Sequence, residues 1–264
     1  MTEHTRESTP TLYAAERQAL ILRSAQAHGR VEVAAVAAEL DVTPETVRRD
    51  LTVLERRGRV RRVHGGAIPV ERLDIEPTVA ARIEANAQEK ERIARAAVEF
   101  LPAEGTVIID GGTTTARLAE FFPRDRELTV VTTSLPVAST LAAFPGVSLH
   151  LVGGYLRGRT LTAVGDWTTA ALAGIYADVA FLGTNGLSLE HGLSTPDQRE
   201  AAAKRAMIAS AKERVVLMDA DKYGQAHFSR FADLDEIDTV ITDDSLRAED
   251  ARSIQQLGPQ VVRA

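Results

Sequence analysis

Thr43-Pro44-Glu45-Thr46-Val47-Arg48-Arg49-Asp50-Leu51-Thr52-Val53-Leu54-Glu55-Arg56-Arg57-Gly58-Arg59-Val60-Arg61-Arg62-Val63-His64-Gly65-Gly66-Ala67 holds seven arginines and no lysine in 25 residues. Thr43 suits an N-cap, and Pro44 the first helical position, where its missing N–H costs nothing. The spacing predicts a helix from there to about Arg57, stopped by Gly58 in a left-handed conformation. Val47, Leu51 and Leu54 stand at i, i+4 and i+7 and form its buried stripe, while Glu45, Arg48, Arg49 and Thr52 fall on the other side.

Two helices precede it, from about Ala14 to Ala27 and from Val33 to Leu40. The second carries Val33, Val36, Ala37 and Leu40 on one face. Asp41-Val42-Thr43 breaks the chain before the third. Helix, three-residue turn, helix is the spacing whose second helix enters the major groove of DNA. After Gly58, Arg59 to Val63 and Ala67 to Val70 read as two short strands around His64-Gly65-Gly66, which makes a wing. The expected DNA-contacting residues are Thr43, Glu45, Thr46, Arg48 and Arg49 on the helix and Arg61, Arg62 and His64 on the wing. Arginine suits both places, because its planar fork grips guanine O6/N7 or a phosphate with two hydrogen bonds. The competing reading, a three-helix domain with an arginine-rich solvated face, does not account for cap, turn, stop and wing together.

The rest of the chain sets this segment apart. Through Val70 there are 11 basic and 9 acidic residues, against 20 basic and 28 acidic beyond it, so a slightly basic head precedes an acidic body in a chain of net charge -6. A length of 264 residues suits one large domain or two modest ones, and 44% hydrophobic content supports a real core. With no cysteine, disulfides and thiolate metal sites are excluded. The six histidines show no metal-ligand spacing. No apolar run approaches the roughly 20 residues that span a membrane, so no membrane partner is expected and a reducing cytoplasm is the expected location. Residues 1–70 are read as the winged helix-turn-helix domain. Residues 71–87, polar and interrupted by Pro77, are read as a linker, and residues 88–264 as an effector domain.

In that last segment strands and helices alternate. Thr106 to Ile109, Leu128 to Thr132, Val147 to Val152, Val179 to Leu182, Val215 to Met218 and Thr239 to Ile241 are apolar runs bounded by turn signals. Helices read from about Thr114 to Phe122 and Leu135 to Ala143. The alternation predicts an α/β fold, a Rossmann-like, mainly parallel sheet with helices on both faces, with ligands beyond the carboxyl ends of the strands. Glycine- and hydroxyl-rich turns follow those ends: Asp110-Gly111-Gly112-Thr113-Thr114, Thr133-Ser134, Gly153-Gly154, Gly183-Thr184-Asn185-Gly186 and Asp219 to Gly224. Such turns are ordinary one at a time, but several on one sheet edge fit a phosphorylated, hydroxyl-rich ligand. Phosphate is assigned to Gly111–Thr114 or Thr133-Ser134, and sugar hydroxyls to Asp110 and Asn185. The chain has 27 arginines and four lysines, Lys90, Lys204, Lys212 and Lys222. Three of these read as lying in polar helices, while Lys222 follows a strand end, where it is either a ligand for the phosphate or an adjacent hydroxyl or a surface lysine.

Thr46-Val47-Arg48-Arg49-Asp50-Leu51 and Arg61-Arg62-Val63-His64-Gly65-Gly66-Ala67, with Arg17 and Ile21 upstream, resemble the signature of the DeoR family of bacterial transcriptional repressors. The likeness extends over nearly the whole chain. It implies a sensor domain similar in fold to ribose-phosphate isomerases, in which Asp110 to Thr114, Thr133-Ser134, Gly183 to Gly186 and Asp219 to Lys222 surround the effector. The combination Arg157-Gly158-Arg159-Thr160-Leu161, Phe181 to Gly186, His191 to Asp197 and His227-Phe228 most resembles the fructose-operon repressors of that family, and Arg157 is counted with the effector site. The resemblance implies an operator-bound homodimer or homotetramer, with a phosphorylated sugar such as fructose 1-phosphate as inducer. An isomerase-like enzyme fused to a DNA-binding domain is the alternative. The related isomerases carry an Asp-Gly-Ala-Asp motif where this chain has Gly183 to Gly186, and a lysine where it has His191, so no obvious base remains. No catalytic residue, cofactor or metal is therefore assigned.

Overall fold

The computed structural model describes residues 14–28, 30–56, 59–63, 65–69 and 79–264. The chain forms two compact units, Met1–Glu76 and Pro77–Ala264. In the first, α1 (Ala14–His28), α2 (Val33–Glu39) and α3 (Pro44–Arg56) pack with β1 (Val31–Glu32), β2 (Val60–Val63) and β3 (Gly66–Pro69). Ile21, Val36, Val47, Leu51, Leu54, Val60 and Ala67 share one core. The expected stripe of α3 is the buried one, and Thr43 caps that helix by accepting from the Thr46 N–H at 3.2 Å. Asp41 makes the turn before it with a left-handed φ of 51°. Gly58, expected to stop α3, lies outside the described residues.

The wing pair forms as expected, with Arg61 opposite Ile68 and Val63 opposite Gly66. A third strand joins it, because β1 pairs antiparallel with β3, Val31 opposite Ala67. Two residues are too few to show alternation, so β1 had no sequence signature. Polar contacts to one buried side chain tie α3 to α1. Asp50, 3% exposed, accepts from Arg17 Nε at 2.5 Å and Gln18 Nε2 at 3.0 Å.

The second unit carries a seven-stranded sheet built from β4 (Gly105–Ile109), β5 (Leu128–Thr132), β6 (Val147–Leu151), β9 (Ala177–Gly183), β12 (Ala211–Leu217), β14 (Thr239–Thr242) and β15 (Gln260–Arg263). The spatial order is β15-β14-β12-β9-β4-β5-β6, and every pairing is parallel. Alternate residues face opposite cores. Val107, Ile109, Val130, Phe181 and Leu217 pack with α5 (Ala87–Ala97), α6 (Thr113–Glu120) and α7 (Leu135–Leu141). Ile108, Val131, Leu182 and Val216 pack with α8 (Asp166–Ala173), α9 (Gln198–Ala209) and α10 (Ala248–Gln255). Burial on both faces explains the continuous apolar runs. Two antiparallel additions stand outside this sheet, β7 (Tyr155–Arg157) with β8 (Thr162–Val164), and β10 (Gly186–Ser188) with β11 (Gly192–Thr195) and β13 (Ser229–Ala232).

Part of the expected linker, 71–87, is helical. Val79–Glu84 forms a helix, α4, within the second unit. It buries none of its side chains, so it left no apolar period to read. Among the described residues no helix is long and apolar enough to cross a membrane.

Because Arg17 is itself largely buried, removing Asp50 takes a close ion-pair partner from a desolvated cation. Asp50→Ala is expected to cost about 3 kcal/mol of stability. The loss should show in chemical denaturation together with faster hydrogen exchange in α1 and α3. An unchanged denaturation midpoint would remove Asp50 from its structural role.

Candidate functional site

Two surfaces carry the expected chemistry. On α3, Glu45, Arg48 and Arg49 are exposed on the side away from the core. Arg48 lies 3.4 Å from Glu45 Oε2, a loose contact between exposed groups that leaves the guanidinium able to turn toward a base edge. Thr43 and Thr46 hydroxyls sit 2.9 Å apart within the cap, so both contribute first to the helix start. Thr52 donates to the Arg48 carbonyl of its own helix at 2.8 Å. The side chains of Arg61 and Arg62, and all of His64, lie outside the described residues.

The second surface is a cavity of about 170 Å³ in the second unit. It opens where sheet order reverses: from β4 the chain proceeds to β5 on one side, and later crosses to β9 on the other. Such a switch point leaves a crevice at the strand carboxyl ends. Gly111 to Thr115 after β4, Gly183 to Asn185 at the end of β9, and Met218, Asp219, Asp221 and Lys222 after β12 line it, joined by Ala81, Arg82, Asn86, Lys90, Thr160, Glu200 and Lys204. The free N–H groups at the start of α6 form one pole. Gly111 permits the loop to reach this position, since a Cβ there would stand 2.0 Å from Thr162 Oγ1.

Asp110, expected as a hydroxyl ligand, has both carboxylate oxygens engaged within the fold. Its Oδ1 accepts from the Gly111 N–H at 2.7 Å, and its Oδ2 accepts from the Gly183 N–H at 3.0 Å and from the Lys204 ammonium. Lys204 also donates to the Gly183 carbonyl at 2.8 Å. Aspartate and lysine are both buried, forming a framework beneath the cavity. Among the cavity-lining carboxylates, Asp219 is buried with one oxygen unengaged. It is 1% exposed, and its Oδ1 has no hydrogen-bond partner, with Lys222 Nζ 3.7 Å away. Thr160 Oγ1, also on the cavity wall, is buried without a hydrogen-bond partner.

Several other expected ligands serve the frame. Ser134 Oγ caps α7, accepting from the Val137 N–H at 3.4 Å, and reaches only a smaller adjoining cavity of about 40 Å³. Thr133 is buried and lines neither. Gly153 accepts from Thr168 Oγ1 at 2.9 Å, and a Cβ on Gly154 would stand 2.0 Å from the same oxygen, so this turn seats α8. Arg157 turns to Asp197 and Glu200 at 3.1 and 3.3 Å. Burial alone would raise the Asp197 carboxyl, but backbone hydrogen bonds at the start of α9, Arg199 and Arg157 hold it below the usual carboxylate range. Gly186 pairs in β10 with Ser194.

The lysines also differ from expectation. Lys90 and Lys204 are buried in helices, and Lys212 lies in β12. Burial pulls the Lys90 ammonium below its ordinary pKa. Asp219 opposes this, while Lys222 and Arg82 reinforce it. Arg82, Asn86, Lys90, Thr160, Glu200 and Lys204 were not anticipated as cavity residues, since they lie outside the strand-end motifs. Among the described residues no cluster of His, Asp and Glu has metal-binding form.

A family model described as the DeoR C-terminal sensor domain matches residues 85–244, and one described as the DeoR-like helix-turn-helix domain matches residues 17–72. The HTH-type transcriptional regulator GlpR of Haloferax volcanii is 37% identical over 248 residues, covering 94% of this chain and 97% of that one. The uncharacterized HTH-type transcriptional regulator FruR of Bacillus subtilis is 34% identical, covering 86% and 90%. The putative aga operon transcriptional repressor of Escherichia coli O157:H7 is 30% identical, covering 94% and 93%. Among solved structures, ribose 5-phosphate isomerase A of Methanocaldococcus jannaschii aligns with 53% of this chain and 55% of its own, at 16% identity and a TM-score of 0.40.

Breaking the buried pair from one side leaves an unpaired charge. Lys204→Met should therefore cost about 3–5 kcal/mol, and adding Asp110→Asn should restore part of that loss. A double-mutant cycle by chemical denaturation measures the coupling. Additive losses would mean that the two residues act independently.

Proposed function

The chain belongs to the DeoR family of transcriptional regulators, and from that premise we propose that it represses a carbohydrate-utilisation operon and is released by a phosphorylated sugar bound in the cavity of its second unit. Its relatives are named as regulators, and it is a DNA-binding regulator rather than an enzyme. The observation that carries the effector reading is the cavity's two-sided chemistry. The α6 N-terminus offers N–H groups to an anion, and the buried Asp219 Oδ1 offers an acceptor to hydroxyls. A phosphate placed against Asp219 would be repelled, so the ester belongs at α6 and the sugar hydroxyls toward Asp219 and Asn185. Three lysines line the cavity. Lys90 and Lys204 are committed to carbonyl or carboxylate partners, and Lys222, at 3.7 Å from Asp219, is the least committed.

A phosphorylated ketose, fructose 1-phosphate first, is the inducer favoured by the Arg157 to Leu161 and His191 to Asp197 motifs. Relatives named GlpR, GlcR and for the aga operon are similarly close, so the sugar must be decided by binding. Operator symmetry mirrors protein symmetry, which favours a homodimer or homotetramer. The sugar acts by preferring one of two conformational states, and can shift operator affinity only by that preference.

Calorimetry with a panel of sugar phosphates, beside an operator-release assay, tests this reading. Lys222→Ala should weaken inducer binding about 10–100-fold, the worth of one charge-assisted hydrogen bond, and leave operator binding intact. An inducer held as tightly by Lys222→Ala as by the parent would misplace the pocket. On the DNA side, loss of a bidentate base contact through Arg48→Ala or Arg49→Ala should cost about 1–3 kcal/mol of operator binding. Retention of parental operator affinity by the double variant would reject α3 as the reading helix.

A further inference from the structure

The cavity wall formed by α4 is held in an unusual way. Ala81, Arg82, Ala85 and Asn86 line the cavity, yet α4 has six residues and buries none of its side chains. So short a helix has little stability of its own, and the core does not grip it. Polar contacts hold it instead. Lys90, 4% exposed on α5, donates to the carbonyl of Arg82 at 2.6 Å and to the carbonyl of Ala85. These carbonyls belong to the last turn of α4 and the residue just after it, where a helix runs out of N–H partners and a cation is favoured. Asn86, which breaks α4 from α5 with a left-handed φ of 51°, donates to Asp221 Oδ2 at 2.9 Å. Asp221 adjoins Lys222 on the opposite cavity wall. In sequence, α4 is the first described element after the boundary between the units at Glu76 and Pro77.

We propose that Lys90 is a positioning residue that seats α4 as a yielding wall of the effector cavity, so that a bound phosphate ester fixes residues 79–86 and reports occupancy to the chain leading to the DNA-binding unit. The inference rests on reading this cavity as the effector site. Arg82 brings the wall to the ligand, Lys90 sets where Arg82 stands, and Asn86 ties the wall to the loop carrying Lys222. A ligand that touches both sides favours the seated wall over the loosened one, which is the differential affinity that a switch requires.

Hydrogen exchange on the full-length protein reads the wall directly, with calorimetry and operator release measured on the same samples. The probes are fructose 1-phosphate and inorganic phosphate. Saturating ligand should slow exchange of the 79–86 amides about tenfold in the parent. Lys90→Met keeps the packing volume but leaves both carbonyls unpaired. It should bind ligand more weakly in the calorimeter and, at ligand concentrations that saturate it, should lack the ligand-dependent protection and most of the operator release. Lys90→Arg, which keeps the cation, should restore both. If Lys90→Met fails to fold, Asn86→Ala, which removes an exposed tie, carries the same comparison and should lose the same protection. Binding by the parent with no change at 79–86 overturns the proposal and spares the effector reading, as does full ligand-dependent protection in the uncharged or untied variants. Failure of both probes to bind the parent defeats the effector reading, and this inference with it.

Discussion

The Asp110 carboxylate ties together the ends of β4 and β9, the two neighbouring strands from which the sheet grows in opposite directions. Backbone N–H groups from both strand ends converge on it, and Lys204 brings α9 to the same point. Without a shared acceptor, the Gly111 and Gly183 turns would each have a buried N–H to satisfy, and the crevice between them would have no fixed width. The cost of burying an ion pair is met here because both partners also hydrogen-bond to the backbone. Placement of α6, and hence of the N–H groups that face the cavity, follows from the geometry of this one carboxylate.

The first unit uses a related device. Asp50 sits inside the helix that presents Arg48 and Arg49, and its bonds to Arg17 and Gln18 hold α3 against α1. The two arginines beside it are then free of structural duty and face outward. In each unit a buried aspartate organises the backbone while neighbouring exposed or half-exposed groups are left for a partner. Composition does not separate these roles, since Asp50 and Asp110 are both acids within motif-like stretches.

That distinction marks what could be read from the sequence. The cap at Thr43, the stripe of Val47, Leu51 and Leu54, and the buried strands were legible because each depends on neighbours a few residues away. The crevice was legible in outline, because strand ends announce themselves by glycine and hydroxyl side chains. Which of those side chains face the cavity was not legible. Ser134 turned out to cap α7 and Arg157 to pair with Asp197 and Glu200, since both depend on partners fixed only by the fold. Lys90 and Lys204 were passed over because a helical lysine on a polar stretch looks solvated; their burial is decided by carbonyls and a carboxylate elsewhere in the chain. Helix α4 escaped notice for the opposite reason, having no buried face to betray it.

A wall without a core suits the energetics of a switch. Typical coupling between two sites is roughly 1–3 kcal/mol, enough to change affinity about 5–150-fold. One hydrogen bond to a charged group is worth roughly 1.5–3 kcal/mol, so a single ligand contact made only when α4 is seated could supply the whole coupling. Such a contact can prevail only if the wall resists weakly. A helix that buried several leucines would hold its place by about 1.5–3 kcal/mol per side chain, and an effector of modest size could not move it. The six residues of α4, which bury no side chain and are tied in part by the Lys90 ammonium, fall within the range that one phosphate ester can control. Large apolar side chains are therefore spent in the sheet, where Asp110 must not move, and withheld from the segment that must respond.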